Sequence, residues 1–189
     1  MSDEIKSNEN QPLRTAVVAI IGRPSAGKST FLNTACQEPV SIVSPIPQTT
    51  RNAIKGIVNT SFGQLIFIDT PGYHDSEKKL NLRLRNVTES QLEGIDCVLY
   101  IIDSTRALGE EEAHTAALLK DLQAKTVVAI NKCDLPASKP LPIRQFISEQ
   151  LPQVPAGRIL EMSAEKDTGI NEVLKALYDI SPEGEPVYD

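Results

Sequence analysis

The chain has 189 residues, of which 40% are hydrophobic and 23% are charged, and its formal net charge is −6. This length and composition suit one globular domain with tails, while the acidic balance argues against a stand-alone nucleic-acid-binding protein, which usually has a basic excess. The three cysteines are scattered and form no CxxC pair, and no apolar run approaches the roughly 18 residues of a membrane-spanning helix. We therefore expect a reduced, cytoplasmic protein without a disulfide framework, a zinc site or a membrane span.

Strands and helices are predicted to alternate along the chain. In chain order the predictions are a strand at 16–21, a helix at 28–35, a loop-like stretch at 36–52, strands at 53–59 and 64–68 joined as a hairpin, a helix at 79–92, a strand at 97–102, a helix at 110–122, a strand at 126–130, a proline-rich loop at 135–142, a helix at 143–151, a strand at 159–162 and a final helix at 170–178 capped by Thr168. This alternation predicts an α/β fold of three layers, in which helices cover both faces of a six-stranded, mostly parallel sheet with one antiparallel strand.

The chain divides into one domain and two short flanking segments. Residues 1–13 are polar and mixed in charge, which predicts a disordered tail rather than a signal peptide. Residues 14–180 hold the alternating elements, and residues 181–189 are predicted to be a C-terminal linker. Ligands of such sheets bind beyond the carboxyl ends of the strands, so we expect the functional residues there.

A phosphate-binding loop follows the first predicted strand. The pattern G-x-x-x-x-G-K-[ST] is matched in full by the stretch "GRPSAGKS" between a strand and a helix. Its glycines let backbone N–H groups turn toward phosphate oxygens, and the helix N-terminus adds partial positive charge. The predicted phosphate-binding residues are Gly22, Arg23, Pro24, Ser25, Ala26, Gly27, Lys28, Ser29 and Thr30. Lys28 is also a predicted catalytic residue, because its charge reaches the β and γ phosphates.

A magnesium site is predicted beside this loop. Ser29 offers a hydroxyl to Mg²⁺, and Asp69 ends the second hairpin strand, where a carboxylate can hold the same ion through water. In the stretch "DTPG", the backbone N–H of Gly72 can approach the γ-phosphate because no side chain intervenes, so Gly72 is also a predicted catalytic residue.

The stretch "NKCD" predicts recognition of guanine. The carboxylate of Asp134 can accept hydrogen bonds from N1–H and the 2-amino group of guanine, whereas adenine lacks both donors and would leave the charge unpaired. Lys132 can lay its stem over the ring, and Asn131 can join neighbouring loops. Ser163 and Ala164 follow the last predicted strand, where a backbone N–H can meet the guanine 6-oxygen.

The motifs "GRPSAGKS", "DTPG", "NKCD" and "SA" resemble those of Ras-like GTP-binding proteins of the translation-factor class. Within that class, "SIVSPIPQTTRNAIKGI", "DTPGYH" and "SPEGEPVYD" resemble the Era-type GTPases. The resemblance implies a GTPase with a slow intrinsic rate, which is a switch rather than a metabolic enzyme and acts in small ribosomal subunit assembly and 16S rRNA maturation. It also implies a monomer that binds GTP, GDP and Mg²⁺, with Thr50 as a catalytic residue and metal ligand.

Two positions depart from related GTPases. Ras-type enzymes orient the attacking water with a glutamine where this chain has Tyr73, which we therefore carry as a candidate catalytic residue. Many relatives have asparagine at the position of Ser25, where it helps to hold a potassium ion beside the phosphates. Because serine has a shorter reach, we expect potassium activation to be weak or absent.

The resemblance also implies a further domain outside this sequence. Era-type chains continue past "PEGEPVYD" into an RNA-binding KH domain, whose GxxG loop clamps the nucleic-acid backbone. No two glycines of this sequence stand three apart, so we expect an isolated GTPase domain whose residues 181–189 would lead to a KH domain. Contact with rRNA would then depend mainly on that other domain.

Two alternative functions remain open from the sequence. A P-loop phosphotransferase needs an acceptor pocket and an arginine-rich lid, but residues 101–125 contain a single arginine, Arg106. A GTP-binding module with negligible hydrolysis is consistent with Tyr73 and Ser25. Single-turnover hydrolysis distinguishes that module from a GTPase.

Overall fold

The structure is a computed structural model that describes residues 11–36, 54–69 and 94–188. The described residues form strands β1 (Arg14–Ile21), β2 (Ile54–Thr60), β3 (Gly63–Asp69), β4 (Cys97–Asp103), β5 (Thr126–Asn131) and β6 (Ile159–Glu161), and helices α1 (Lys28–Cys36), α2 (Glu110–Leu119), α3 (Pro140–Gln150) and α4 (Ile170–Ile180). The predicted helix at 79–92 and all but the first residue of the predicted loop at 36–52 lie outside these ranges.

The strands form one sheet in the order β2-β3-β1-β4-β5-β6. β2 pairs antiparallel with β3, and the other neighbouring strands pair in parallel. Every residue of β4 and β5 is buried, as expected for central strands that are covered on both faces. This architecture confirms the predicted six-stranded sheet with one antiparallel strand.

Among the described residues, two helices pack against each face of the sheet. On one face, α1 and α4 cover residues such as Leu65 and Leu99, and Phe31 meets Phe67 edge to face with ring centroids 5.7 Å apart. On the other face, α2 and α3 cover the opposite side chains of the same strands, among them Ile130. The three layers follow from the burial of both sheet faces, and they confirm the predicted fold class.

The final helix confirms its predicted apolar stripe but not its predicted cap. Val173 and Leu177 are fully buried, one turn apart. The N-cap is Gly169 rather than Thr168, and no side chain caps the helix. Thr168 instead exchanges two backbone hydrogen bonds with Ser163, at 2.9 and 3.1 Å, which closes the preceding loop. Gly169 then turns the chain with φ of 76°, a conformation that favours glycine.

Two other helix boundaries differ from the prediction by three residues each. α2 ends at Leu119 rather than at residue 122, because the backbone tightens there and Leu122 N–H bonds to the Leu119 carbonyl at 2.9 Å. α3 begins at Pro140 rather than at residue 143, so the predicted loop at 135–142 is too long. Prolines favoured a loop in the sequence, yet the first turn of a helix tolerates them because its N–H groups have no partner within the helix.

Part of the predicted C-terminal linker lies on the domain. Thr15 N–H bonds to the Pro182 carbonyl at 3.1 Å, and Gly184 N–H bonds to the Leu13 carbonyl at 2.9 Å. The buried side chain of Gln64 donates to the carbonyl of Tyr188 at 2.8 Å and accepts from its N–H at 3.1 Å. In the ranges that the structure describes, no helix is both long and apolar enough to cross a membrane.

Candidate functional site

The loop between β1 and α1, residues 22–29, is called the phosphate loop below, and it requires glycine at two positions. A Cβ on Gly22 would lie 2.5 Å from the carbonyl oxygen of Ile101. Gly27 has φ of 102°, and its Cβ would lie 2.2 Å from Asn131 Nδ2. Both distances are shorter than van der Waals contact, so the loop lies against the carboxyl ends of β4 and β5 only because these residues lack side chains.

Positive charge is concentrated where the phosphate loop enters α1. Lys28 is the first residue of the helix and is only 9% exposed, and its Nζ donates to the carbonyl oxygen of Gly22 at 2.9 Å. Ser29 and Thr30 are exposed in the same first turn. The free N–H groups of a helix N-terminus, combined with a lysine, favour an anion at this point.

The side chain of Arg23 turns toward α2 rather than into the phosphate loop. Its Nη1 donates to Glu112 Oε1 at 3.0 Å, and its Nε lies 2.6 Å from Glu111 Oε2 in an ion pair without hydrogen-bond geometry. Burial lowers the pKa of Arg23, but the two carboxylates outweigh burial and raise it overall. Glu112 also accepts from Gly109 N–H at 2.8 Å. Arg23 thus anchors the loop to α2, and only its backbone remains for a phosphate.

Asn131 connects three loops at the end of β5. Its side chain is 2% exposed, its Nδ2 donates to the carbonyl of Ala26 at 2.8 Å, and its Oδ1 accepts from Ala164 N–H at 3.0 Å. Both of these alanines are 1% exposed. The amide therefore satisfies two buried backbone groups in different loops, which fixes their separation.

Lys132 bridges the phosphate loop and the end of β4. Its Nζ lies 2.8 Å from the carbonyl oxygen of Ser25 and 2.8 Å from Asp103 Oδ2. Asp103 is 5% exposed, and its other oxygen accepts from both Thr105 N–H and Thr105 Oγ1. Burial raises the pKa of Asp103, but the hydrogen bonds from Lys132 and Thr105 outweigh burial and lower it overall. Asp103 is thus a buried carboxylate that holds Lys132 in place.

The phosphate loop and the predicted guanine-binding residues enclose one cavity. Its volume is about 180 Å³, and its lining includes Gly27, Thr30, Asn131, Lys132, Asp134 and Ser163. Asp134 is exposed, whereas Ser163 is 1% exposed and Ala164 lies beside it. A larger cavity of about 640 Å³ lies beside residues 104–108, and none of the predicted site residues lines it. Of these two cavities, the smaller one is therefore lined by predicted site residues.

Ser25 is the exposed residue in the middle of the phosphate loop, and its hydroxyl has an unforeseen partner. Arg106 Nη1 donates to Ser25 Oγ at 3.0 Å. Arg106 lies in the loop after β4, together with Thr105, whose hydrogen bonds to Asp103 fix the start of that loop. The contact places a guanidinium at the rim of the phosphate loop.

The described residues supply two of the three predicted magnesium ligands. Ser29 lies in the first turn of α1, and Asp69 is the last residue of β3, where its Cα pairs with Ile20 of β1. Both residues are thus at the carboxyl edge of the sheet, and a hydroxyl with a carboxylate is an oxygen donor set that suits Mg²⁺. The described ranges contain no cluster of three or more His, Cys, Asp or Glu residues that could hold a metal without such a hydroxyl. Thr50, Gly72 and Tyr73 lie outside the described residues.

The sequence prediction missed Asp103 and Arg106. The predicted strand at 97–102 ended one residue early, since β4 includes Asp103. A strand extended by that residue would have placed a carboxylate at the carboxyl edge of the sheet, as at Asp69. No pattern in the sequence indicates that Arg106 reaches Ser25, which is 81 positions away.

The site lies in a region that known proteins share. A family model described as a 50S ribosome-binding GTPase matches residues 17–132. Over 176 residues the chain is 58% identical to the GTPase Era of Treponema denticola and 43% identical to that of Borreliella afzelii. Each comparison covers 93% of this chain and 60% of the relative, so the chain spans about three fifths of the length of these curated relatives.

Solved structures lead to the same group. A crystal structure of Era in complex with MgGDPNP and nucleotides 1506–1542 of 16S ribosomal RNA has a TM-score of 0.72 and 34% identity. Aquifex aeolicus Era bound to GDP and AlF4⁻ has a TM-score of 0.67 and 32% identity. Both comparisons cover 94% of this chain and 60% of the other. The resemblance inferred from the motifs is therefore confirmed.

Proposed function

The chain belongs to the 50S ribosome-binding GTPase family, and we propose that it binds GTP and hydrolyses it slowly to GDP and phosphate as a molecular switch. The observation that supports this most directly is the position of Asn131. Its side chain joins Ala26 of the phosphate loop to Ala164 through two hydrogen bonds, at 2.8 and 3.0 Å. One ligand can therefore contact the phosphate loop and the guanine-recognition loops together.

We propose that Asp134 selects guanine. Its carboxylate lines the 180 Å³ cavity together with Lys132, whose Nζ is held by Asp103 and by the Ser25 carbonyl. That restraint keeps the aliphatic stem of Lys132 beside the cavity, where it can cover a planar base. Adenine would leave the Asp134 carboxylate without donors, which costs several kcal/mol when the group is desolvated. The N–H groups of Ser163 and Ala164 already donate to the Thr168 carbonyl and to Asn131 Oδ1, so the next N–H, that of Glu165 in the cavity lining, is the candidate donor to the guanine 6-oxygen.

We propose that the triphosphate lies along residues 22–30, where the N–H groups of the loop and Lys28 Nζ surround it. Ser29 and Asp69 would hold Mg²⁺, together with Thr50. When bound, magnesium supplies positive charge that offsets the charge of the β and γ phosphates. Lys28 contributes a second charge from inside the loop, since its Nζ lies 2.9 Å from the Gly22 carbonyl.

In the proposed reaction, water forms a bond to the γ-phosphorus while the bond from that phosphorus to the β–γ bridging oxygen breaks. The products are GDP, inorganic phosphate and a proton. Backbone N–H groups of the loop and Lys28 stabilise the charge that shifts to the bridging oxygen. Tyr73 replaces the glutamine that would orient water, so we expect a slow intrinsic rate. The Gly72 N–H and Thr50 are proposed to contact the γ-phosphate.

We further propose that the switch acts in small ribosomal subunit assembly and 16S rRNA maturation, as a cytoplasmic monomer. The similar Era structure holds 16S rRNA nucleotides 1506–1542 together with MgGDPNP. Stimulation of single-turnover GTP hydrolysis by small ribosomal subunits would support this role. Hydrolysis below detection, both with and without subunits, would instead indicate a GTP-binding module.

Base selection is tested by changing Asp134 to asparagine and measuring the affinity for fluorescent GTP and xanthosine triphosphate. Asp134→Asn should weaken GTP binding by about 100-fold or more, because two charge-assisted hydrogen bonds are lost. Binding of xanthosine triphosphate should strengthen, since its 2-oxo group accepts from an amide. The control is Asp121→Asn, an exposed residue that lies after α2 and outside the cavity lining. Unchanged GTP affinity in Asp134→Asn would show that this carboxylate does not read the base.

A further inference from the structure

We propose that Arg106 is a built-in cation of this GTPase, which stabilises the charge that develops on the γ-phosphate during hydrolysis. The inference rests on the proposed function, because it requires GTP in the phosphate loop. Beyond that function, it gives Arg106, which lies outside the GTPase motifs, a charge that accelerates hydrolysis.

The position of Arg106 is set by the fold. β1 and β4 are neighbouring parallel strands, with Ile21 paired to Tyr100, so the loops beyond their carboxyl ends lie side by side. The β4 loop starts rigidly, because Thr105 donates twice to the buried Asp103, at 2.8 and 2.6 Å. Arg106 comes next and reaches the phosphate loop, where its Nη1 lies 3.0 Å from Ser25 Oγ.

Charge balance distinguishes Arg106 from Arg23 and Lys132, two other cations around the loop. Arg23 is paired with Glu111 and Glu112, and Lys132 is paired with Asp103. Within residues 11–36, 54–69 and 94–188, no carboxylate forms an ion pair with Arg106, and its guanidinium donates to the neutral Ser25 hydroxyl. Its positive charge is therefore not offset by the protein there. An unneutralised cation at the rim of an anion-binding loop is available to the anion itself.

The geometry of a guanidinium suits this role. Its planar set of N–H donors can bridge phosphate oxygens, and it keeps its charge at any physiological pH. The Ser25 contact is a hydrogen bond between exposed groups, so the side chain can exchange that partner for a phosphate oxygen at little cost. A cation beside Ser25 also leaves little for a monovalent metal ion to contribute there. We therefore expect hydrolysis that does not depend on potassium.

The test is single-turnover GTP hydrolysis by the 189-residue chain and its variants. Arg106→Gln should slow hydrolysis by about 10- to 100-fold, less than the loss typical of a fully enclosed arginine finger because Arg106 is exposed. The affinity for fluorescent GTP should change by less than about threefold, since the contact matters chiefly in the transition state. Arg106→Lys should recover part of the rate, because it restores the charge but not the planar donors.

The control is Lys120→Gln, which removes the same charge from an exposed position at the end of α2 and should leave the rate unchanged. Equal hydrolysis by wild type and Arg106→Gln would overturn the inference, as would a loss of rate matched by an equal loss of GTP affinity. Stimulation of the wild type by about tenfold or more in KCl relative to NaCl would also overturn it. Failure of the wild type to bind or hydrolyse GTP would instead overturn the proposed function.

Discussion

Changing Asn131 to alanine should destabilise the whole domain, because this side chain satisfies buried groups in two separate loops. It would leave the Ala26 carbonyl and the Ala164 N–H without their partners at 2.8 and 3.0 Å. All three residues are at most 2% exposed, so water cannot replace the amide freely. Each buried group left unpaired costs about 1–3 kcal/mol. We therefore expect a loss of about 3 kcal/mol, a large part of the roughly 5–15 kcal/mol of a typical domain.

This loss is measurable by urea denaturation followed by far-UV circular dichroism, which suits a chain without tryptophan. The midpoint should fall at an unchanged slope, and the melting temperature should drop by about 10 °C for a domain of this size. Asn171→Ala is the control, since Asn171 is exposed on α4 and its loss should cost less than about 0.5 kcal/mol. A loss below about 1 kcal/mol in Asn131→Ala would refute the idea that this amide holds the loops together.

Two further changes test other contacts. Asp103→Asn should lower stability by about 1–3 kcal/mol at pH 7, because the charged hydrogen bond to Lys132 is weakened. Folding lowers the pKa of Asp103, so the stability that its carboxylate contributes is present above the ordinary aspartate pKa of about 3.9 and is lost as the pH falls through the folded value. The difference in unfolding free energy between Asp103→Asn and wild type should therefore shrink below about pH 4. A difference independent of pH would contradict the role given to this carboxylate. Tyr178→Phe should cost about 1 kcal/mol in urea denaturation, because the hydroxyl bonds to the carbonyls of Val58 and Gly63 at 3.2 and 3.1 Å, and an unchanged midpoint would show that these bonds contribute nothing.

The sequence predicted the sheet well because burial leaves a clear pattern. β4 and β5 are buried along their full length, so their residues form continuous apolar runs that stand out from the polar loops. The order of strands and helices then predicted the three layers. The loops that follow the strands of a parallel sheet lie together at its carboxyl edge, which is why the sequence alone predicts that Lys28 and Asn131 belong to one site.

Helix ends were less predictable because several local signals compete there. Pro140 indicated a loop, although proline fits the first turn of a helix well. Thr168 is a residue type that often caps helices, yet its backbone is hydrogen-bonded to Ser163 in the preceding loop, and Gly169 is the N-cap. These choices depend on contacts made elsewhere in the fold, which single-sequence propensities do not contain.

The ion pairs within the site could not be predicted either, because they too depend on contacts between distant segments. Arg23 lies within the phosphate motif, and the motif alone suggests that its side chain serves the ligand. The structure pairs it with Glu111 and Glu112, which come from a helix almost ninety positions away. Salt bridges between distant segments leave no periodic pattern, so their partners become visible only once the sheet has brought the loops together.

Hydrogen bonds join the phosphate loop to the loop proposed to recognise guanine, so phosphate binding and base recognition are structurally coupled. Asn131 and Lys132 belong to the loop proposed to recognise guanine, yet both donate to backbone carbonyls of the phosphate loop, those of Ala26 and Ser25. A displacement of one loop must therefore strain the other. Gly27 tightens this connection, because any side chain there would collide with the Asn131 amide. A base that fits poorly against Asp134 would disturb the loop that positions the phosphates, so discrimination between bases should appear in the hydrolysis rate as well as in affinity.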